Sequence, residues 1–186
     1  AATQHLNLRE YSGGTCDPMV IHWPKGIKAK GEVRHQYHHA TDVVATILEV
    51  VGVQMPETFN GVPQFPLNGI SMKYTFDAKP EDPTKKKTQY YAMLGTRGIW
   101  QDGWKAAALH APLSGKGHFD QDQWELYHVD ADRSESTDLA KQYPDKLEML
   151  KKAWGEEARI NLALPVDDRT ASEILMTERP SAEPPR

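Results

Sequence analysis

The chain has 186 residues, of which 39% are hydrophobic and 26% charged, so it can hold one ordinary domain or two small ones. Its net charge of −4 gives no general attraction to nucleic acid or to an anionic membrane, and we expect neither as a partner. A single cysteine excludes an internal disulfide, and no apolar run approaches the roughly 18 residues of a membrane helix. Because the first residue is alanine, we expect the chain to begin inside a longer protein.

The first patterned stretch is a glycine turn followed by a short apolar run. Gly13 and Gly14 permit positive φ angles and close backbone approach. The sequence Met-Val-Ile-His-Trp at residues 19–23 predicts a buried strand around which later elements pack, with Cys16 as a small buried residue beside it. A proline and two glycines in residues 24–31 predict a surface turn.

The clearest helix signal begins at Thr41, which is a favourable N-cap, and Asp42 suits the positive first turn. Gly52 supplies a C-terminal stop. Apolar residues recur at helical spacing and predict a face that packs on the strand: Val43, Val44, Ile47, Leu48 and Val51.

Histidines lead into this helix. His35 with His39, and His38 with Asp42, are four residues apart, which on a helix would give two facing pairs of metal ligands. Zinc sites need three or four convergent ligands with supporting hydrogen bonds, whereas these residues precede or begin the helix. We interpret them as a polar entry loop and predict no metal site.

Prolines, glycines and asparagines alternate through residues 53–88 and predict a long irregular excursion. The run Lys85-Lys86-Lys87 within it is interpreted as a solvated loop.

From residue 89 onward the pattern predicts an antiparallel meander of about four strands, at residues 90–94, 97–101, 104–110 and 123–128. Asp102-Gly103 is a strong tight-turn signal, and Trp100, Trp104 and Trp124 are expected in the core. Pro144 opens a helix to residue 159 whose apolar face should cover the meander. Residues 164–186 are rich in proline and predict an extended tail.

Common catalytic signatures are absent from the sequence. It contains no Gly-x-x-x-x-Gly-Lys loop, no Gly-x-Ser-x-Gly elbow and no Cys-x-x-Cys pair.

Several ordered motifs resemble the sulfatase family, most closely bacterial arylsulfatases, from about Glu10 to about Arg169. The segment from Gly13-Gly14 through Pro18 to Trp23-Pro24 resembles Glu-Gly-Gly-x-x-x-Pro-hydrophobic-x-x-Trp-Pro. The other matching segments are Gln-Phe-Pro-Leu-Asn-Gly-Ile-Ser at residues 64–71, Arg-Gly-Ile-Trp-Gln-Asp-Gly-Trp-Lys-Ala at residues 97–106, Trp-Glu-Leu-Tyr at residues 124–127, and Asp-x-Ser-Glu-x-x-Asp-Leu-Ala at residues 132–140.

The resemblance implies an alkaline-phosphatase-like α/β enzyme, of which this chain is the C-terminal third. Residues 1–88 would be the end of the α/β core with its irregular excursion. Residues 89–163 would form the C-terminal subdomain, an antiparallel four-stranded sheet with a packed helix, and residues 164–186 an extended tail.

The resemblance also implies that the nucleophile and the metal lie upstream. Sulfatases mature a cysteine in Cys-x-Pro/Ala-x-Arg into formylglycine, whereas the similar segment beginning at Cys16 has Val20 in place of the arginine. Formylglycine and calcium are therefore expected only in the intact enzyme, and this chain should contribute no catalytic residue and no metal ligand. It should hydrolyse no sulfate ester alone.

The implied function is that of the C-terminal portion of an arylsulfatase, with a small-molecule sulfate ester and the N-terminal part of the same enzyme as partners. This portion would supply fold and substrate-pocket wall. The candidate substrate-binding residues are Arg9, Arg97, His110 and His118. Arg9 is the nearest cation to Asn7, which stands where the family has a sulfate-contacting lysine.

Two other functions remain open. A related phosphoester or phosphonate hydrolase would share the architecture and differ in upstream residues. A non-catalytic interaction module would use the meander and helix to bind a partner chain. The sequence leaves the compartment, bacterial cytoplasm or periplasm, undecided.

Overall fold

A computed structural model of the chain describes residues 16–93, 95–110 and 118–169, together with Glu173 and Met176. The chain divides into two compact units. The helix unit comprises Met19–Lys87, and the sheet unit comprises Thr88–Arg186 with Ala1–Pro18. The predicted glycine turn at Gly13 and Gly14, and the candidate residue Arg9, lie outside the described residues. Within the described part of the chain, no helix is long and apolar enough to cross a membrane.

The helix unit has little regular structure beyond one helix, α1 (Thr41–Val51). Strands β1 (Thr58–Phe59) and β2 (Val62–Pro63) form a two-residue antiparallel hairpin, and a 3-10 helix spans Lys73–Phe76. The predicted irregular excursion is confirmed.

Helix α1 has the predicted stop at Gly52 but not the predicted N-cap. Gly52 lies in the left-handed region at φ 71°, and its N–H donates to the Glu49 carbonyl. The N-cap is Ala40 and not Thr41, which is the first helical residue, so that part of the prediction is wrong. No side chain caps the helix from the N-cap position.

The face of α1 that is buried is the opposite of the predicted one. Asp42 and Thr46 are its buried residues, whereas Val44, Ile47 and Val51 are 50%, 55% and 61% exposed. The Thr46 hydroxyl donates to the Asp42 carbonyl at 2.7 Å and accepts from the Met72 N–H at 2.9 Å. This polar face is buried because it satisfies backbone groups of a neighbouring loop, which an apolar face could not do.

The predicted strand at residues 19–23 is wrong. These residues form no strand, and Val20 is 92% exposed. Cys16, expected to be buried, is also exposed. A strand exists only where another strand pairs with it, and within the described residues none pairs with this segment. The predicted turn that follows is present at residues 24–26.

The sheet unit contains the predicted four-stranded antiparallel meander. Its strands run in chain order, and neighbours in sequence are neighbours in the sheet: β3 (Thr88–Met93), β4 (Thr96–Gln101), β5 (Trp104–Ala108) and β6 (Trp124–His128). β5 ends two residues before the predicted His110. Asp102 and Gly103 have φ angles of 46° and 79°, which confirms the tight turn between β4 and β5.

Helix α2 (Pro144–Ile160) packs on one face of this sheet, as predicted. Its buried residues are Leu150, Trp154 and Ala158, and they meet Ile99, Ala106 and Leu126 of the sheet in one apolar core. The Trp154 indole N–H donates to the Tyr91 carbonyl at 2.9 Å. The buried indole is therefore hydrogen-bonded to strand β3 as well as packed.

Candidate functional site

Two of the predicted site residues, Arg97 and His110, meet at one end of the sheet. Arg97 pairs in register with Ala108, which pairs with Trp124, so these three residues form one row across β4, β5 and β6. His110 lies two residues beyond Ala108, and Asp122 lies two residues before Trp124. Antiparallel strand order thus brings Arg97, His110 and Asp122 to the same sheet end.

Asp122 joins Arg97 to His110. The Arg97 Nη2 is 2.6 Å from Asp122 Oδ2, and the His110 Nδ1 is 3.1 Å from the same oxygen. The side chains of His110 and Asp122 are 0% and 4% exposed. A carboxylate accepts hydrogen bonds, so the Nδ1 of His110 carries the donated hydrogen and its Nε2 points elsewhere.

Two aromatic rings hold Arg97 in place. Its guanidinium carbon lies 4.5 Å from the centre of the Phe119 ring and 5.3 Å from the Trp124 ring. Phe119 also contacts the His110 ring, with 4.7 Å between centroids. Cation–π attraction and the carboxylate together fix the guanidinium, so Arg97 is a preorganised cation at the sheet end.

Gly95 leaves the space that His110 occupies. Its φ angle is 81°, and a Cβ atom added there would overlap the Cγ and Cδ2 atoms of the His110 ring. Both the backbone angle and the contact therefore require glycine.

A second pair, His118 and Asp168, lies beside the first group. The His118 Nδ1 is 2.9 Å from Asp168 Oδ2, and the Phe119 N–H donates to Asp168 Oδ1 at 2.8 Å. The Nε2 of buried His110 has no hydrogen-bond partner among the described residues and lies 4.0 Å from Asp168 Oδ1. The two groups thus face each other across a short gap.

His118 is the most accessible of the basic side chains described in this site. Its side chain is 63% exposed, whereas that of Arg97 is 14% exposed. The hydrogen bond that His118 donates to Asp168, followed by the charge of the same carboxylate, raises the pKa of His118. Burial acts to raise the pKa of Asp168, but hydrogen bonds from the Phe119 N–H and from His118 outweigh it and lower that pKa.

The sequence interpretation missed the two aspartates that organise the site. Asp122 could have been predicted, because it lies just before β6 and the strand register places that end of β6 in the same row as Arg97. Asp168 had no such signal, because it lies in the proline-rich stretch 50 residues after His118. Arg9 remains a prediction, since it lies outside the described residues.

The histidine cluster before α1 serves the fold of the helix unit. The His38 Nδ1 lies 3.0 Å from Asp42 Oδ2, and the His38 Nε2 lies 3.1 Å from the Tyr74 hydroxyl. The interpretation of Lys86 as solvated is wrong: its Nζ is 2.8 Å from Asp42 Oδ1, and its side chain is 4% exposed. A buried carboxylate needs a countercharge, and Lys86 supplies it. Among the described residues, no group of three or more His, Cys, Asp and Glu could hold a metal ion.

No protein-family model matches this chain. Curated proteins that are similar to it include two named as sulfatases. An uncharacterized sulfatase of Schizosaccharomyces pombe is 28% identical over 87% of the chain, and arylsulfatase K of Xenopus laevis is 24% identical over 80% of the chain. The matches cover 28% and 27% of those proteins, so the chain spans less than a third of the curated relatives it matches.

Solved structures with a similar fold include BT33336S-sulf, from work on glycosaminoglycan metabolism by Bacteroides thetaiotaomicron. Its TM-score is 0.58 and its identity 19%, and the match covers 79% of this chain and 30% of that protein. A second is BT4656, solved in complex with its substrate D-glucosamine-2-N,6-O-disulfate, with a TM-score of 0.52 and 22% identity over 77% of this chain and 28% of that protein. The predicted resemblance to sulfatases is thereby confirmed, and the similar solved structures confirm the mixed α/β fold.

Proposed function

We propose that this chain is the C-terminal portion of a sulfate ester hydrolase. The observation that carries the proposal is that two curated relatives, both named as sulfatases, match 87% and 80% of the chain. A small-molecule sulfate ester is the proposed substrate, and an aryl sulfate is its narrower form. The complex of BT4656 with a disulfated glucosamine supports a sulfate ester ligand.

We further propose that Arg97, His110 and His118 contribute to the wall of the substrate pocket. His118 would contact the substrate, because its imidazole is exposed and its raised pKa favours the cationic form. With Nδ1 bonded to Asp168, the Nε2–H of the cation is available to a sulfate oxygen. Arg97 and His110 are largely buried and would act by fixed charge and by positioning. Arg9 stays a further candidate.

The described residues do not fit the metal and nucleophile that sulfatases use. They contain no group of three acidic, histidine or cysteine ligands. In the segment that begins at Cys16, Val20 stands at the position where the maturation motif needs arginine. We therefore assign calcium and formylglycine to the preceding part of the protein and derive no step through either.

The test compares the 186-residue chain with the full-length protein that contains it, using an aryl sulfate, a sulfated glucosamine and an aryl phosphate, with calcium present. We expect the full-length protein to prefer the sulfate esters and the short chain to be inactive. In the full-length protein, His118→Ala should raise KM about tenfold with a smaller effect on kcat, because it removes a charged contact.

The matched control is His35→Ala, which removes another exposed histidine outside the sheet unit. It should leave both kinetic constants unchanged. Comparable turnover by the short chain, or a preference for the phosphate ester, would contradict the proposed function. Equal effects of the two histidine variants would contradict the proposed role of His118 and would leave the proposed function intact.

A further inference from the structure

The segment that follows α2 is tied to the end of the sheet by one carboxylate. Val166 packs against the apolar core of the sheet unit, and Asp168 lies two residues further on. Asp168 Oδ2 is 2.9 Å from His118 Nδ1, and Asp168 Oδ1 accepts the Phe119 N–H at 2.8 Å. We call residues 163–168 the strap, because they connect the end of α2 with the turn that precedes β6.

The His110 ring beneath the strap is held firmly. Its Nδ1 donates to Asp122, its face contacts the Phe119 ring, and Gly95 leaves just the space that it occupies. The other ring nitrogen, Nε2, is buried, has no hydrogen-bond partner among the described residues and lies 4.0 Å from Asp168 Oδ1. Because the ring is fixed, we expect the strap to be the part that moves when this distance closes.

The charge of His110 decides whether it repels or attracts the strap. In the neutral ring, with Nδ1–H bonded to Asp122, Nε2 presents a lone pair to the Asp168 carboxylate, and two acceptors cannot bond. Arg97 lies 2.6 Å from Asp122 and already neutralises it, so Asp122 alone favours a second proton on His110 only weakly. A proton on Nε2 would place the imidazolium between two carboxylates and allow it to donate to both.

His118 faces the same carboxylate from the exposed side. Its pKa is raised first by the hydrogen bond that it donates to Asp168, then by the charge of that carboxylate, and less by the charges of Asp120 and Glu173. Burial acts to raise the pKa of Asp168, but the hydrogen bonds from the Phe119 N–H and from His118 outweigh it and lower that pKa. Asp168 therefore stays an anion while the histidines around it gain protons.

We infer that His110 and Asp168 form a pH-sensitive clasp that fastens the strap to the end of the sheet. As the pH falls through the range of about 5 to 8 in which histidines change charge, Nε2 takes up a proton and donates to Asp168 Oδ1. As the pH rises, the proton leaves, and the bonds from His118 and the Phe119 N–H remain. The stabilisation by the clasp is thus present at low pH and lost at high pH. This inference goes beyond the proposed function and does not depend on it.

Amide hydrogen exchange tests the clasp directly, because the Phe119 N–H donates to Asp168. Its protection is measured in the 186-residue chain at about pH 6 and about pH 8, on either side of the usual histidine titration, and is corrected for the intrinsic pH dependence of exchange. The exposed substitution His118→Gln removes the other histidine that bonds to Asp168. The matched control is His128→Gln, because His128 stacks on Trp104 at the opposite end of the sheet.

We expect the protection of the Phe119 amide to be about tenfold higher at the lower pH in the original chain and in His128→Gln, because a hydrogen bond to a charged group opposes local opening. His118→Gln should lower the protection at both pH values but keep a dependence on pH, since His110 still titrates against Asp168. Protection that is independent of pH in His118→Gln would overturn the inference, because His118 would then be the titrating group.

Adding His110→Gln to His118→Gln should abolish the remaining pH dependence, and its persistence would also overturn the inference. His110 is buried, so an NMR titration of the imidazole nitrogens in the original chain covers the case in which that variant does not fold. The His110 Nε2 should gain a proton in the same pH range in which the Phe119 protection rises, and an Nε2 that gains none above about pH 5 would contradict the clasp. Neither measurement uses a substrate, so the hydrolysis assay decides the proposed function separately.

Discussion

Lys86 and Asp42 form a buried ion pair, with 2.8 Å between Nζ and Oδ1 and with side chains that are 4% and 0% exposed. The same carboxylate accepts the Ile70 N–H at 2.9 Å and is bonded to His38. One side chain therefore links the first turn of α1, the loop at residue 70 and the segment that ends the helix unit. In a unit with a small apolar core, this polar centre takes over much of the role of packing.

Replacement of Asp42 by asparagine should destabilise the chain strongly. The asparagine side chain would keep the size of the aspartate but leave the Lys86 ammonium buried without a countercharge, a change that costs about 3–5 kcal/mol. Urea denaturation measures the free energy of unfolding. The control Glu81→Gln, at an exposed turn, should change it by less than about 0.5 kcal/mol. A midpoint for Asp42→Asn equal to that of the control would contradict the prediction.

The contribution of Asp42 should also depend on pH. Burial acts to raise its pKa, but the hydrogen bonds from His38 and Lys86 outweigh burial and lower it in the folded state. The stabilisation is therefore complete above the unfolded pKa of about 3.9 and is lost as pH falls toward the folded pKa. The stability difference between the original chain and Asp42→Asn should be constant near neutrality and shrink below about pH 4. A difference that grows on acidification would argue against this assignment.

Gly103→Val should weaken the hairpin between β4 and β5. Gly103 has a φ angle of 79°, and a Cβ there would overlap the Asp130 carboxylate. We expect a loss of roughly 1–3 kcal/mol, from backbone strain and from displacement of Asp130. Gly31→Val is the matched control, because Gly31 has a φ of 68° but no atom within 4 Å of its Cβ position. Thermal unfolding should show the larger loss for Gly103→Val, and equal losses would reject the role of the Asp130 contact.

Local signals explain why the sheet unit was predictable. Alternating residues, the Asp102-Gly103 turn and the proline that opens α2 each act within a few residues of sequence. Antiparallel hairpins join neighbouring segments, so the local signals also determine which strands pair.

The helix unit was predicted less well because its contacts are distant in sequence. Lys86 is 44 residues from Asp42, and that contact buries its side chain whereas the lysines on either side are exposed. The apolar runs at residues 19–23 and in α1 predicted burial, but Val20 and Ile47 are exposed. An apolar pattern shows which residues are hydrophobic but not which surface packs against them.

The candidate site was predictable only in part. Arg97 begins one predicted strand and His110 ends the next, so their meeting at one sheet end follows from the predicted meander. The positions of the two aspartates do not follow from it. Asp122 lies 12 residues from His110, across residues with no periodic pattern, and Asp168 lies 50 residues from His118. Polar contacts between loops depend on tertiary geometry, which periodicity does not report.

Gly95→Ala should displace His110 from Asp122. The new Cβ would overlap the imidazole ring, so the ring must rotate or shift and the bond from Nδ1 to the carboxylate should break. Gly61→Ala is a close control, since Gly61 has the same φ of 81° and no atom within 4 Å of its Cβ position. NMR of the imidazole nitrogens should show a changed Nδ1 signal for His110 in Gly95→Ala only. An unchanged signal would mean that the ring does not depend on glycine.

Asp168→Asn should lower the pKa of His118. Asp168 raises that pKa first by its hydrogen bond and then by its charge, and asparagine keeps the shape while removing the charge. A histidine with a raised pKa is cationic below that pKa and loses its charge as pH rises through it, so the variant should lose the charge at a lower pH. An NMR titration of the His118 ring protons in the 186-residue chain measures this pKa without any substrate. Asp167→Asn is the matched control, because the adjacent Asp167 binds Arg169 and not His118. A His118 pKa that is unchanged in Asp168→Asn, or that falls equally in both variants, would contradict the pairing on which the proposed sulfate contact depends.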